Sequence, residues 1–156
     1  MSRTNREHFL TKLQTPIHRD RIHELIPHAG NMCLLDRVVA YDDSAIECAA
    51  VSHRDSGNPL RHRGILPIHT GIEYCAQAIA IHGQLTSAGP SGTPRRGFLA
   101  VIMNTEWTVE RLDDCVGELN VFAVKQVALQ QGVTYTFELK HQGHTLLKGQ
   151  TVVALE

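Results

Sequence analysis

The sequence predicts an α+β chain in which an antiparallel sheet of about six strands wraps around one long buried helix. Three observations predict it. From Gly71 to Ile81 only Glu73 and Gln77 are strongly polar, and a helix that is apolar nearly all round must be buried on most sides. Strand-like runs lie on both sides of that helix, bounded by turn residues rather than by further helices. Their connections are short, which favours hairpins and an antiparallel sheet around the helix. A single curved sheet leaves part of such a helix uncovered, so a dimer joined sheet edge to sheet edge is expected.

Met1 to Arg21 has no clean period and is expected to be a loosely held arm, with a helical turn around Phe9 to Leu13. The folded domain is expected over residues 22–156. Ile22 to Ile26 makes a helical turn that Pro27 ends. Met32 to Tyr41 is a first strand, Asp42-Asp43-Ser44 a turn, and Ala45 to Ser52 the returning strand. His53 to Gly64 is rich in Gly, Pro, Asn, Arg and His, a loop too polar for a core element. The long helix lies within Leu66 to Gly83, with Pro67 before it, Thr70 as N-cap and Gly83 as its stop. Ser87 to Gly97 is a turn-rich connector without the G-K-[ST] of a phosphate loop. Strands then follow over Phe98–Glu110, Glu118–Leu129, Val133–Lys140 and Thr145–Leu155, the last three joined by Gln130-Gln131-Gly132 and Gln142-Gly143 turns.

Composition excludes several classes. Of the 156 residues, 15 are Lys or Arg and 16 Asp or Glu, a net charge of −1 that gives no field for nucleic acid or an anionic membrane. Aromatics at 5% are too few for base-stacking platforms. No apolar run approaches the roughly 18 residues of a membrane span, and the N-terminus has no apolar signal core. Cys33, Cys48, Cys75 and Cys115 are scattered without a C-x-x-C pair, which fits reduced thiols in a cytoplasm. The ten histidines suggest metal, but His23-Glu24-Leu25-Ile26-Pro27-His28 has one residue too many for H-E-x-x-H and a proline inside it. Neither a metal site nor a cofactor is expected.

The chemistry concentrates at the start of the long helix. Thr70-x-x-Glu73 matches a capping box, in which the glutamate satisfies the Thr70 amide. The same carboxylate facing a pocket is an acid/base group whose pKa burial can tune. Gln77, four residues on, shares its face, and His69, four residues before, extends the line at the helix mouth. Arg61, Arg63, Arg95 and Arg96 stand in two loops, either simply solvated or flanking a pocket mouth.

Two motifs carry a family resemblance. Ile26-Pro27-His28-x-x-x-Met32-x-Leu34-Leu35-Asp36-Arg37-Val38 resembles the entry segment of the hotdog-fold 3-hydroxyacyl-acyl-carrier-protein dehydratases. Leu66-Pro67 followed by Glu73-x-x-Ala76-Gln77 is similar to that family's central helix, and Gly-Ile-Glu-Tyr-x-Ala-Gln-Ala looks like its aryl polyene branch. The resemblance covers about Ile22 to the C-terminus. It implies a hotdog fold and, as partner and substrate, an acyl carrier protein whose phosphopantetheine arm bears a 3-hydroxyacyl chain in a fatty-acid or polyene-type pathway. It also implies a site in which a histidine and a helix carboxylate from two subunits remove water between C2 and C3. Dehydration needs a base for the C2 proton, an acid for the C3 hydroxyl and N–H groups on the thioester oxygen.

Residue by residue, the resemblance makes Glu73 the carboxylate, Gln77 the supporting amide, and the backbone N–H groups near Gly71 the donors to the carbonyl oxygen. The family's histidine falls fourteen residues before Glu73, at Pro59, and Asn58 beside it can only hydrogen-bond to substrate. His53, His62 and His69 can stand in; His69 is favoured by its nearness to Glu73, then His62. Two other functions stay open. One is a hotdog acyl thioesterase, in which the carboxylate assists water attack on the thioester. The other is a non-catalytic subunit that pairs with an active dehydratase, as homodimer or heterodimer partner.

Overall fold

A computed structural model describes residues 10–28, 30–86 and 97–155. The elements are β1 (Ile17–His18), α1 (Arg19–Leu25), β2 (Arg37–Tyr41), β3 (Ala45–Ala50), α2 (Gly71–Thr86), β4 (Gly97–Trp107), β5 (Leu119–Leu129), β6 (Gly132–His141) and β7 (His144–Leu155). The strands form one antiparallel sheet in the order β1-β2-β3-β5-β6-β7-β4. The sheet therefore has seven strands, one of them a two-residue edge pairing, Ile17 with Val38 and His18 with Arg37.

The long helix is buried as its composition requires. None of its residues is fully exposed, and Tyr74, Cys75, Gln77, Ala78, Ile81 and His82 face the core on successive turns. α2 packs against α1 and against β3, β5 and β6. Leu119, Val121, Ala123, Phe137 and Leu139 supply the apolar inward face of β5 and β6, each strand alternating buried with less buried positions as period-two geometry demands. Each fully buried aliphatic side chain there contributes about 1.5–3 kcal/mol. At Gly71 the helix comes closest to the sheet: a Cβ there would stand 2.8 Å from Leu139 Cδ2 and 3.0 Å from Leu147 Cδ2.

Several sequence expectations change. Leu10 to Leu13 is not helical; the Leu13 amide instead donates to Val39 O at 3.0 Å. Met32 to Asp36 is not strand, and β2 begins only at Arg37. Residues 33–36 carry no regular structure: side chains from elsewhere take the amide and carbonyl of Leu34, and only the Asp36 amide reaches β3, at Ala49 O. α2 runs through Gly83 to Thr86, since Gly83 keeps a helical conformation and so cannot act as a C-terminal stop. The Ser87–Gly97 connector lies, but for its last residue, outside the described residues.

β4 stands apart. It pairs only with β7, forms one edge of the sheet, and has only Leu99 and Thr105 even partly buried. Phe98, Val101, Ile102, Met103 and Trp107 are all exposed. Its ladder is interrupted between Met103 and Glu106, where Asn104 takes a left-handed φ of 55°.

Candidate active site

Glu73 projects from the first turn of α2, and its carboxylate meets an imidazole from the segment that follows α1. Oε1 lies 3.1 Å from Nε2 of His28. Glu73 keeps 37% and His28 27% of its side-chain surface exposed, so the pair sits at a rim that solvent or a substrate can reach. With the carboxylate ionised, Nε2 carries the proton and donates. Nδ1 of His28 is buried without a hydrogen-bond partner among the described residues. The ring is thus oriented by one hydrogen bond and by the backbone that carries it.

The capping box is not used. The Thr70 amide and hydroxyl both donate to Pro67 O, at 3.1 and 2.6 Å, within a 3-10 turn over Ile68–Thr70 that leads into the helix. Glu73 is thereby released from capping. That turn also removes Gly71 as a donor to substrate: its N–H points back to Ile68 O and His69 O, and its Cα is packed beneath Leu139, Leu147 and Leu112.

Gln77 is one turn beyond Glu73 and completely buried. Its Oε1 accepts from the Leu34 amide at 2.9 Å and its Nε2 donates to Met32 O at 2.6 Å. The carboxamide is therefore turned to the chain that follows His28 and not to a substrate, a correction to its expected role. The Leu34 carbonyl is held too, by Ser52 Oγ at 2.6 Å, which bonds the Tyr74 hydroxyl at 2.8 Å.

The loop on which the family's histidine position falls, at Pro59, is committed to structure. Asn58 is buried, donates to Ser52 O and to the Tyr74 hydroxyl, and accepts from the Leu60 amide, so it is not turned to substrate as expected. Pro59 is exposed beside it. His53 is fully buried and donates from Nε2 to Cys115 O at 2.9 Å; burial pushes its pKa below the ordinary imidazole value. Arg61 spends Nε, NH1 and NH2 on Asp55 O, Gly64 O and His53 O, which staples the loop to itself. His62 is exposed in a small bridge with Ile65, and His69 is exposed on the 3-10 turn. Among the described residues no hydrogen bond or ion pair joins either to Glu73. Arg95 and Arg96 lie outside the described residues.

His69 instead lines a cleft of about 400 Å³ with Ile68, Ile72, Thr105, Trp107 and Glu110. Its floor is the start of α2 and one wall is β4, the bare edge. Neither His28 nor Glu73 lines it.

Other buried polar groups are satisfied structurally. His82 Nε2 donates to Asp42 O at 2.8 Å, so its Nδ1 accepts from the Tyr135 hydroxyl at 2.6 Å. Burial lowers the His82 pKa and pushes that of Tyr135 up to about 12. The Arg111 guanidinium holds the Asp113 carboxyl well below the usual carboxylate range, while Asp113 Oδ1 accepts from the Leu66 amide at 2.9 Å and fixes the approach to α2. All four cysteines are free and buried; burial raises the thiols of Cys48 and Cys75 far above their ordinary value, which excludes them as nucleophiles. No helix among the described residues is long and apolar enough to cross a membrane.

An antiparallel sheet curled on one long helix, with a carboxylate in that helix's first turn, is the hotdog arrangement, and the comparisons agree. The dehydratase heterocomplex ApeI:P from Xenorhabdus doucetiae matches with a TM-score of 0.76 at 20% identity, over 86% of this chain and 90% of that one. A hypothetical thioesterase with coenzyme A from Streptococcus pneumoniae matches at 0.57 and 11% identity, over 76% and 84%. The AziG protein of S. sahachiroi matches at 0.57 and 15%, over 84% and 97%. No curated protein matches the chain. The family model for ApeP-like proteins, described as ApeP dehydratase, matches residues 20–155, and the chain belongs to that dehydratase family.

The residue at Glu73 that sequence reasoning missed is His28. It stands in the quoted Pro27-His28 entry motif, but 45 residues separate it from Glu73, and no local spacing links them. The available signal was indirect: an amide at Gln77 and a histidine motif that ends in residues with no strand pairing.

Proposed function

We propose that this chain dehydrates 3-hydroxyacyl thioesters carried on the phosphopantetheine arm of an acyl carrier protein to trans-2-enoyl thioesters, in a cytoplasmic fatty-acid or polyene-type pathway. His28 and Glu73 are the acid/base pair. The observation that carries this reading is the 3.1 Å contact between His28 Nε2 and Glu73 Oε1 at an accessible rim; membership of a dehydratase family supports it. The pair shares one proton. In the reacting form Nε2 is free and the carboxyl is protonated. Nε2 takes the C2 proton while the carboxyl gives its proton to the C3 hydroxyl; the C–H and C–O bonds break, the C2–C3 double bond forms, and water leaves. Transfer of the proton from Nε2 back to Oε1 restores the starting state. Both groups come from one chain, unlike the two-subunit site that the resemblance implied.

The chain works as a dimer, with itself or with a related hotdog protein. The exposed apolar β4 edge supports this, as does a similar protein's description as part of a heterocomplex. Mass spectrometry of 3-hydroxyacyl carrier protein incubated with the chain, alone and with a candidate partner, tests the reaction: loss of water that disappears with His28→Ala is expected. Loss of water that appears only with the partner and survives His28→Ala identifies the non-catalytic subunit, a reading favoured by Pro59 at the family's histidine position. Release of free acid would identify a thioesterase.

A further inference from the structure

We infer that Gln77 is a positioning residue for the His28–Glu73 pair: its buried carboxamide clamps the segment after His28 onto α2 and so sets where the imidazole meets the carboxylate. This rests on the reading of that pair as the acid/base site.

Three consecutive features place the clamp. Gln77 is fully buried and both of its polar atoms bind backbone of the same short segment, Met32 O and the Leu34 amide. That segment carries no regular structure over residues 33–36, and at Leu34 both backbone groups are held by side chains, while the Asp36 amide already reaches Ala49 O of β3 at 2.9 Å. The Leu34 carbonyl is gripped from the other side through Ser52 and the Tyr74 hydroxyl, so the Leu34 amide and carbonyl are both tied to α2. His28 lies only four residues upstream of Met32, beyond the left-handed turn at Gly30, whose carbonyl accepts from the Cys33 amide at 3.1 Å.

The ring itself explains why such a clamp is needed. Nδ1 of His28 has no hydrogen-bond partner among the described residues, so no second bond locks the imidazole as usually happens for a working histidine. Its orientation is inherited from the backbone, and the backbone is held by Gln77. Glu73 and Gln77 leave the same helix one turn apart, so a rigid rod carries both the carboxylate and the clamp that delivers its partner. Proton transfer is steep in distance; a misplacement of about 1 Å costs on the order of 10²-fold in rate.

The test compares Gln77→Leu, which removes both bonds, with Gln77→Glu, which keeps an acceptor for the Leu34 amide but loses the donor to Met32 O. Gln77→Glu serves if Gln77→Leu fails to fold. In histidine-labelled protein the His28 ring-nitrogen resonance, assigned through His28→Ala, is read at one fixed pH. Gln77 variants are expected to move it to where Glu73→Gln moves it, although Glu73 is intact. In turnover, kcat is expected to fall by about 10²-fold with KM within about threefold, and the Gln77→Leu, His28→Ala double variant to be no slower than His28→Ala alone. A resonance that does not move in folded Gln77 variants overturns the inference. So does a double variant slower than His28→Ala by the full factor of the single change, because Gln77 then acts independently of the histidine. If the resonance moves as expected but the wild type performs no dehydration, the clamp stands and the dehydratase reading fails.

Discussion

The two sides of the central helix are finished to different degrees. Where α2 meets the entry segment and the 52–66 loop, Glu73, Tyr74 and Gln77 each reach a named partner, and of the buried side-chain polar atoms among the described residues only His28 Nδ1 and His53 Nδ1 lack one. At the far edge of the sheet β4 has one neighbour, a bulge, and five large apolar side chains in solvent. The first region brings a carboxylate and an imidazole together within this chain. The second defines a wall of the cleft and leaves a sheet edge unpaired. The His28–Glu73 contact and the bare sheet edge thus lie in separate regions of one small fold.

That separation can be broken in graded ways. The largest effect is expected at the pair itself. His28→Ala and Glu73→Gln should each lower turnover by roughly 10²-fold or more, while thermal unfolding barely moves, since both side chains are partly exposed. Wild-type turnover in both variants would remove the pair from the mechanism. Next comes the edge: Val101→Glu with Met103→Glu should raise the dimer dissociation constant by about 10- to 100-fold, measured by sedimentation equilibrium, and leave the fold of a monomer intact. An unchanged constant would place the interface elsewhere.

Tyr74→Phe strips one hydroxyl from the closed side and leaves Ser52 and Asn58 without their shared partner. A loss of about 1–2 kcal/mol in denaturant unfolding is expected, with no change in association. A pH series probes the same side more gently. Burial holds His53 and His82 below the ordinary imidazole pKa, so the unfolded chain takes up protons near pH 6.5 before the folded one does. Their contribution is complete above about 6.5 and is lost as the pH falls through that value toward the folded titrations. Unfolding free energy should therefore decline between about pH 7 and 5, by at most about 1.4 kcal/mol per unit for each group, and a flat profile would contradict the burial of both rings. The smallest effects are expected from His62→Ala and His69→Ala, which should keep turnover within about twofold; a large loss in either would return the base to the helix mouth.

How legible this was depended on the range of the interaction. α2 and the hairpins β2–β3, β5–β6 and β6–β7 were readable because periodicity and turn residues are local signals. Thr70, Glu73 and Gln77 illustrate the limit. Their spacing fits a capping box and a shared face, yet Glu73 reaches His28 and Gln77 reaches Met32 and Leu34, 45 and 43 residues away in the chain. The same long-range bonds explain why Met32 to Asp36, apolar enough for a strand, is not one. Asn58 and Arg61 read as polar loop residues open to a ligand, but Arg61 donates to the loop's own carbonyls and Asn58 to Ser52 O and the Tyr74 hydroxyl, partners that no local pattern marks.

The strand order also has a consequence in time. β4 is complete at Trp107, but its register runs from Gly97 opposite Leu155 to Trp107 opposite Leu147, so its neighbour is the strand of this sheet that comes latest in the chain. At about 5–20 residues per second, a ribosome needs several seconds to supply it. During that interval Phe98, Val101, Ile102 and Met103 sit on a nascent chain with neither edge paired, while β2 and β3 can already close their hairpin. Pairing of β4 therefore waits for β7, and the segment most exposed to errant pairing is the one that the folded chain still leaves uncovered.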